Sequence, residues 1–202
     1  THNSKNDILF WERMIEMKVI LGISNRHVHL TEEDYKILFK DEPLNKAKDL
    51  LQKGQYASDK KVSIKTAKNT INNVRLLGPL RKYTQVEVSK TDSFTLGLNP
   101  PVRDSGDLED AEMITIVGPY GEVTKPCCIL ATRHLHINTE DLAKYGLTNG
   151  QHIKAKIVSE KTTVFEDVRV KADSTYVLEL HLDTDDGNGA LAKTGDEIEV
   201  II

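Results

Sequence analysis

The chain has 202 residues, 39% of them hydrophobic and 29% charged, and a formal net charge of −4. That length buries one large core or two of roughly 100 residues each, while no apolar run approaches the roughly 20 residues that span a bilayer. The acidic balance excludes a general nucleic-acid binder, because phosphate backbones need a basic surface; two adjacent cysteines, Cys127 and Cys128, exclude a disulfide framework and suit a reducing cytosol.

Residues 7 to 17, DILFWERMIEM, read as a short amphipathic helix with Ile8, Trp11 and Ile15 on one face. Charges follow its apolar residues where a secretory signal would carry a small-residue cleavage site. From KVILGIS onward the chain is a series of short apolar or alternating segments punctuated by Gly, Pro, Asn and Asp. These are KVSIKT, NNVRLLG, TQVEVSK, MITIVG, CCILAT, HIKAKIV, VRVKA, YVLELHLD and EIEVII, each predicted to be a strand. In TQVEVSK, Thr84, Val86 and Val88 alternate with Gln85, Glu87 and Ser89, the period of a half-buried strand. Many short strands at even spacing predict a mainly β protein, a barrel or a sandwich. The spacing predicts two helices: TEEDYKILFK, opened by Thr31 and Asp34, and NTEDLAKYG, opened by Asn138 and Asp141 and closed by Gly146.

Each of those helices follows the same five-residue pattern, RHVHL at 26–30 and RHLHI at 133–137, which takes up four of the seven histidines. An apolar strand, Arg-His-x-His and a capped helix therefore occur twice, the signature of two related halves. On a strand, residues i and i+2 share a face about 6.6 Å apart, so two imidazoles can converge on a cation at about 2.0–2.1 Å. Imidazole suits zinc and other borderline metals better than Mg²⁺ or Ca²⁺. His27 with His29 and His134 with His136 are thus two half-sites. His181 ends an apolar strand and is the best further donor; His2 and His152 have no such setting. Glu87 is the best carboxylate, though its position equally fits a solvated surface residue. Arg26 and Arg133 can bind an anion or pair with acidic groups that orient the motif.

Three imitations fail. HVHLTEE fits a cupin spacing only through Glu33, which belongs to a predicted helix; DTDDGNG lacks the later ligands of a calcium loop; and a (β/α)8 barrel needs more chain and more helices.

Taken together, GISNRHVHL, NNVRLLGPLRKYTQVEVSKTD, PPVRDSGDL, ATRHLHI and HLDTDDGNGA resemble, in order and over about residues 18–202, the PduL-type phosphate acyltransferases, or phosphate propanoyltransferases. The resemblance implies two β-barrel domains capped by short α-helices, with an N-terminal helical arm. Their boundaries would be 1–17 for the arm, 18–25 plus 132–202 for one barrel and 26–131 for the other. It implies two zinc ions per chain, one on His27, His29 and Glu87, the other on His134, His136 and His181, each with a position left for phosphate, substrate or water. Arg81 resembles the phosphate-binding arginine. Ser24, Arg75, Leu77 and Asn188 would line the coenzyme A site, with Phe94 stacked on adenine. PCCIL, Gly187 and Gly189 depart from the expected pattern without touching a proposed ligand.

The implied reaction is acyl-CoA plus phosphate giving acyl phosphate plus CoA, by direct attack of metal-bound phosphate on the thioester, with acetyl or propanoyl as the acyl group. Acyl-CoA and phosphate are the expected partners, with neither nucleic acid nor membrane. The resemblance admits a homodimer and a cytoplasmic location, free or inside a bacterial microcompartment joined through the arm. Two competing readings are a dinuclear zinc hydrolase of a thioester or phosphoester and a non-catalytic zinc-stabilised scaffold.

Overall fold

The computed structural model describes residues 17–202. The arm expected over 1–17 lies outside the described residues except for Met17, which opens a strand. In chain order the strands are β1 (Met17–Ser24), β2 (His27–His29), β3 (Lys46–Asp49), β4 (Tyr56–Lys65), β5 (Thr70–Gly78), β6 (Gln85–Glu87) and β7 (Val102–Arg103). They continue as β8 (Glu112–Val117), β9 (Glu122–Ala131), β10 (His134–Ile137), β11 (His152–Ile157), β12 (Thr163–Ala172), β13 (Glu179–Asp183) and β14 (Glu197–Ile201). The α-helices are α1 (Glu32–Phe39), α2 (Lys90–Leu96), α3 (Leu142–Tyr145) and α4 (Thr184–Gly189). None is long and apolar enough to cross a membrane.

The chain divides into two compact units. Among the described residues, one holds those from Met17 to Gly22, Arg133–His181 and Gly187–Ile202; the other holds Ile23–Thr132 and Leu182–Asp186. The first is built on a closed six-stranded barrel in the order β1-β13-β10-β12-β11-β14. In the second, β4, β5, β2, β6, β9 and β8 close a ring because β8 pairs with both β9 and β4, while β3 and β7 lie at its margins. The expectation of a mainly β protein with two barrels and few short helices is borne out.

Period-2 patterning fills each barrel. Met17, Val19 and Leu21 turn inward from β1, and Ile153, Ala155 and Ile157 from β11. On β12 the alternation slips: Phe165 and Val168 are both buried because Asp167 adopts a positive φ of 56° opposite a register shift in β11. One extra residue in the strand re-aims those that follow. In the other unit Leu30, Leu38 and Leu76 are fully buried, each stabilising the fold by roughly 1.5–3 kcal/mol.

The helix expected at TEEDYKILFK forms as α1, with the Thr31 side chain accepting from Asp34 N–H. Asp34 is itself buried. Its carboxylate accepts a hydrogen bond from the Thr84 hydroxyl and pairs with Lys125 Nζ at 2.7 Å, tying α1 to β9 and to the start of β6. Breaking a buried pair from one side leaves an uncompensated charge. With Lys125 itself 42% exposed and Asp34 still accepting from Thr84, Lys125→Met is expected to lower unfolding free energy by about 1–3 kcal/mol, read as a reduced urea midpoint at unchanged m-value. The helix at NTEDLAKYG forms as a 3₁₀ turn, Thr139–Asp141, running into α3, with Gly146 left-handed at its end.

Two segments differ from expectation. TQVEVSK was expected to stay extended to Lys90, but Ser89 and Asp92 exchange reciprocal side-chain to backbone hydrogen bonds and start α2. DTDDGNG, whose start resembles a calcium loop, begins at the end of β13 and forms helix α4, whose first turn is anchored where Asp183 Oδ1 accepts from Asp186 N–H at 2.8 Å.

Candidate functional site

β2 lies between β5, to which it is parallel, and β6, to which it is antiparallel. That register sets His27 opposite Glu87 and beside Arg75, with His29 opposite Gln85. One donor atom each from His27, His29 and Glu87 falls within 4.8 Å of the others. His27 Nε2 is 3.4 Å from Glu87 Oε2, and His29 Nε2 is 3.8 Å from Glu87 Oε1. The Asn25 carbonyl, 2.8 Å from His27 Nδ1, can only accept, so that nitrogen carries a proton and Nε2 is left to share a cation, or its own proton, with the Glu87 carboxylate. Burial opposes charge on His27, but the Glu87 carboxylate outweighs it and raises the imidazole above its ordinary value. His29 is held well below, by burial first and then by the neighbouring His27 and Arg81 charges.

The second cluster repeats this plan in the other unit. β10 runs antiparallel to β13, so His134 faces His181 and His136 faces Glu179. Donor atoms of His134, His136 and His181 again lie within 4.8 Å of one another. The His134 and His181 rings stack at 4.8 Å, and Tyr176, from the loop before β13, stacks on His136 at 4.1 Å. Burial, then the adjacent imidazoles and Lys171, push His136 down to about 2, keeping it neutral and able to donate a lone pair.

These donors fit a divalent cation. Among the described residues, three buried side-chain polar atoms have no hydrogen-bond partner: His29 Nδ1, His136 Nδ1 and His181 Nε2. All three are imidazole nitrogens of the two clusters. Leaving such a group unsatisfied costs about 1–3 kcal/mol, so imidazoles kept buried and short of partners in both clusters suit a site built for a cation.

Arg81 stands beside the first cluster, close enough for its charge to bear on both His27 and His29. Nη1 donates to Tyr83 Oη at 2.8 Å and to Ser105 Oγ at 3.0 Å; Nη2 donates to Gln55 Oε1 at 3.1 Å. Arg75 and Leu77 occupy β5, next to His27, and Arg75 Nη1 donates to the Ser58 carbonyl at 2.8 Å. Ser24 ends β1 half-buried, while Phe94 on α2 is 63% exposed with Lys90 Nζ 5.1 Å from its ring centre. Asn188 is exposed on α4, in the unit of the second cluster.

The motif arginines turn to protein partners. Arg26 grips Asp92 through Nε at 2.9 Å and Nη2 at 2.8 Å, and Arg133 lies 4.9 Å from the Phe165 ring centre. They orient the motif strands. Cys127 and Cys128 are buried in β9, and burial pushes the Cys127 thiol up to about 12 and that of Cys128 higher still. Native protein is expected to leave both unmodified by iodoacetamide at pH 8 and to take up two labels once denatured, counted by intact mass.

Sequence reading missed Gln85 and Glu179, both buried beside a third donor. Their signal was positional: each precedes that donor by two residues on the same strand, hence on the same face.

The model of the phosphate propanoyltransferase family matches residues 20–193. The chain is 44% identical over 189 residues to the phosphate propanoyltransferase of Thermotoga maritima, covering 92% of this chain and 90% of that protein. To those of Citrobacter koseri and Limosilactobacillus reuteri it is 39% and 38% identical, over 95% and 85% of this chain and 92% and 81% of theirs. The matched region contains both His-x-His strands, both third donors and Arg81, and on that extent and identity the chain belongs to the phosphate propanoyltransferase family.

Proposed function

We propose that this chain is a zinc-dependent phosphate acyltransferase that moves an acetyl or propanoyl group reversibly between coenzyme A and phosphate. The observation that carries the reading is the repeated cluster of three metal donors, one of them beside an arginine whose fork is already held in place. The family match supports the reaction class.

Bound zinc supplies Lewis acidity to an oxygen of phosphate or of the thioester carbonyl. The chain's own groups do the rest. Arg81 is tethered by Tyr83, Ser105 and Gln55 and binds two phosphate oxygens as a fork, at little further cost in side-chain order. Phosphate held this way meets the thioester in one site, which replaces a bimolecular encounter by a local one. A phosphate oxygen attacks the carbonyl carbon, the C–S bond breaks, and coenzyme A leaves as thiolate. The guanidinium offsets charge on the attacking group as the bond forms. Direct transfer suits a chain whose two thiols are buried and fully protonated at neutral pH. Exposed Phe94 and the Lys90 ammonium suit a stacked adenine and its phosphates.

The test is release of free thiol from propanoyl-CoA or acetyl-CoA by zinc-loaded protein, with and without phosphate. Phosphate-dependent release with equimolar acyl phosphate is expected. Equal release without phosphate indicates a hydrolase, and no release under either condition favours a scaffold. The arm over residues 7–17 is proposed to direct packaging in a microcompartment; the full chain should co-purify with shell protein and a chain lacking residues 1–17 should not.

A further inference from the structure

The two clusters share one register plan. His27 faces Glu87 across an antiparallel strand pair, and His134 faces His181 in the same way. The second histidine of each motif then faces the residue two places before the third donor: Gln85 opposite His29 and Glu179 opposite His136. Both are buried, Gln85 completely and Glu179 to 6% exposure. Gln85 Nε2 donates to Glu87 Oε1 at 2.6 Å. Glu179 Oε2 lies 3.0 Å from His181 Nε2, near enough for an ion pair though off the line of a hydrogen bond.

The chemistry changes in step with the donor. A carboxylate donor is backed by an amide N–H that donates a hydrogen bond to it; an imidazole donor is backed by a carboxylate at ion-pair distance. Each backing group is also held from behind. Gln85 Nε2 donates to Ser105 Oγ at 2.9 Å and its Oε1 accepts from Gly106 N–H at 2.7 Å. Ser105 is the hydroxyl that also receives Arg81, so the same network joins Glu87 to that arginine. Glu179 fills space left by Gly22, where an added Cβ would stand 2.5 Å from Glu179 Oε1 and 3.4 Å from His181 Cε1.

We infer that Gln85 and Glu179 are matched positioning residues, each aiming the third donor of its own cluster at the metal ion. The inference rests on the metal reading proposed above. Its test is cobalt(II) titration of metal-free wild type, Glu179→Gln, Glu179→Asp, Gly22→Ala and Gln85→Glu, followed by visible absorption, with melting temperature as a check on folding. Glu179→Gln keeps the shape and removes the charge; Gly22→Ala displaces the carboxylate without altering any donor.

Wild type is expected to bind about two ions per chain. In each Gln, Ala or Gln85→Glu variant one of the two should bind about 10–100-fold more weakly, with an altered band. Glu179→Asp should recover part of the loss. In steady-state transfer, kcat should fall while KM for acyl-CoA stays put, a split that general loosening of the barrel does not produce. Folded variants that bind both ions with wild-type affinity and spectrum overturn this inference alone. A wild-type chain that takes up no cobalt overturns the metal reading and this inference with it.

Discussion

Alanine at His134 is expected to reduce bound zinc from about two ions per chain to about one and to abolish measurable acyl transfer. His134 is the register partner of His181 and stacks on it at 4.8 Å, so its removal takes away a donor and leaves the His181 ring without its stacking neighbour. Loss of a group that merely supports a ligand weakens metal binding by about 10–100-fold; loss of the ligand itself should exceed that. The same substitution at His27 should empty the first cluster, since His27 Nε2 and Glu87 Oε2 approach at 3.4 Å and no other imidazole among the described residues joins His29 there. Elemental analysis of protein dialysed against a weak chelator, beside the thiol-release assay, reads both effects. Full zinc content in either variant rejects the ligand assignment.

The second large effect belongs to Arg81. Arg81→Ala should lower kcat by about 10²–10³, the range seen when one preorganised donor to a developing charge is removed, and raise the phosphate concentration needed for half-saturation. Zinc content should not change. Arg81→Lys restores the charge but not the fork held by Tyr83, Ser105 and Gln55, so it should recover only a small part of the rate. Burial is the main force against protonating His27 and His29, and the Arg81 charge acts in the same direction. Without that charge both imidazoles take up a proton more readily, so in metal-free Arg81→Ala the His27 and His29 rings should titrate at a higher pH than in metal-free wild type, followed by NMR of the imidazole protons. Titration unchanged from wild type would argue that Arg81 stands too far from the cluster to act on it.

Much of the site was legible because its signal is local. Arg-His-x-His needs only the alternation of a strand to place two imidazoles on one face, and its recurrence before two capped helices exposed the duplication. The helix caps Thr31 and Asn138 were equally plain, since a cap is a contact between residues two or three apart. Ser89 and Asp92 carried the same kind of signal, masked by the alternating run into which Ser89 falls.

What the chain by itself determined was therefore its β character, its internal repeat, the four motif histidines and, through family resemblance, the class of chemistry. Tertiary structure decided the rest. Glu87 reads in sequence as either a ligand or a surface glutamate, and only the pairing of β2 with β6 brings it to His27. Gln85 looked like the solvent side of a strand and is wholly buried, because that face meets the Ser105–Gly106 turn. Arg26 and Arg133 read in sequence as binding an anion or pairing with an acidic group, and only the fold gives Arg26 to Asp92 and sets Arg133 over Phe165. In each case the deciding partner lies about 20 to 66 residues away along the chain or on a strand whose register no local pattern encodes. Periodicity says which residues share a face; only strand pairing says what that face meets.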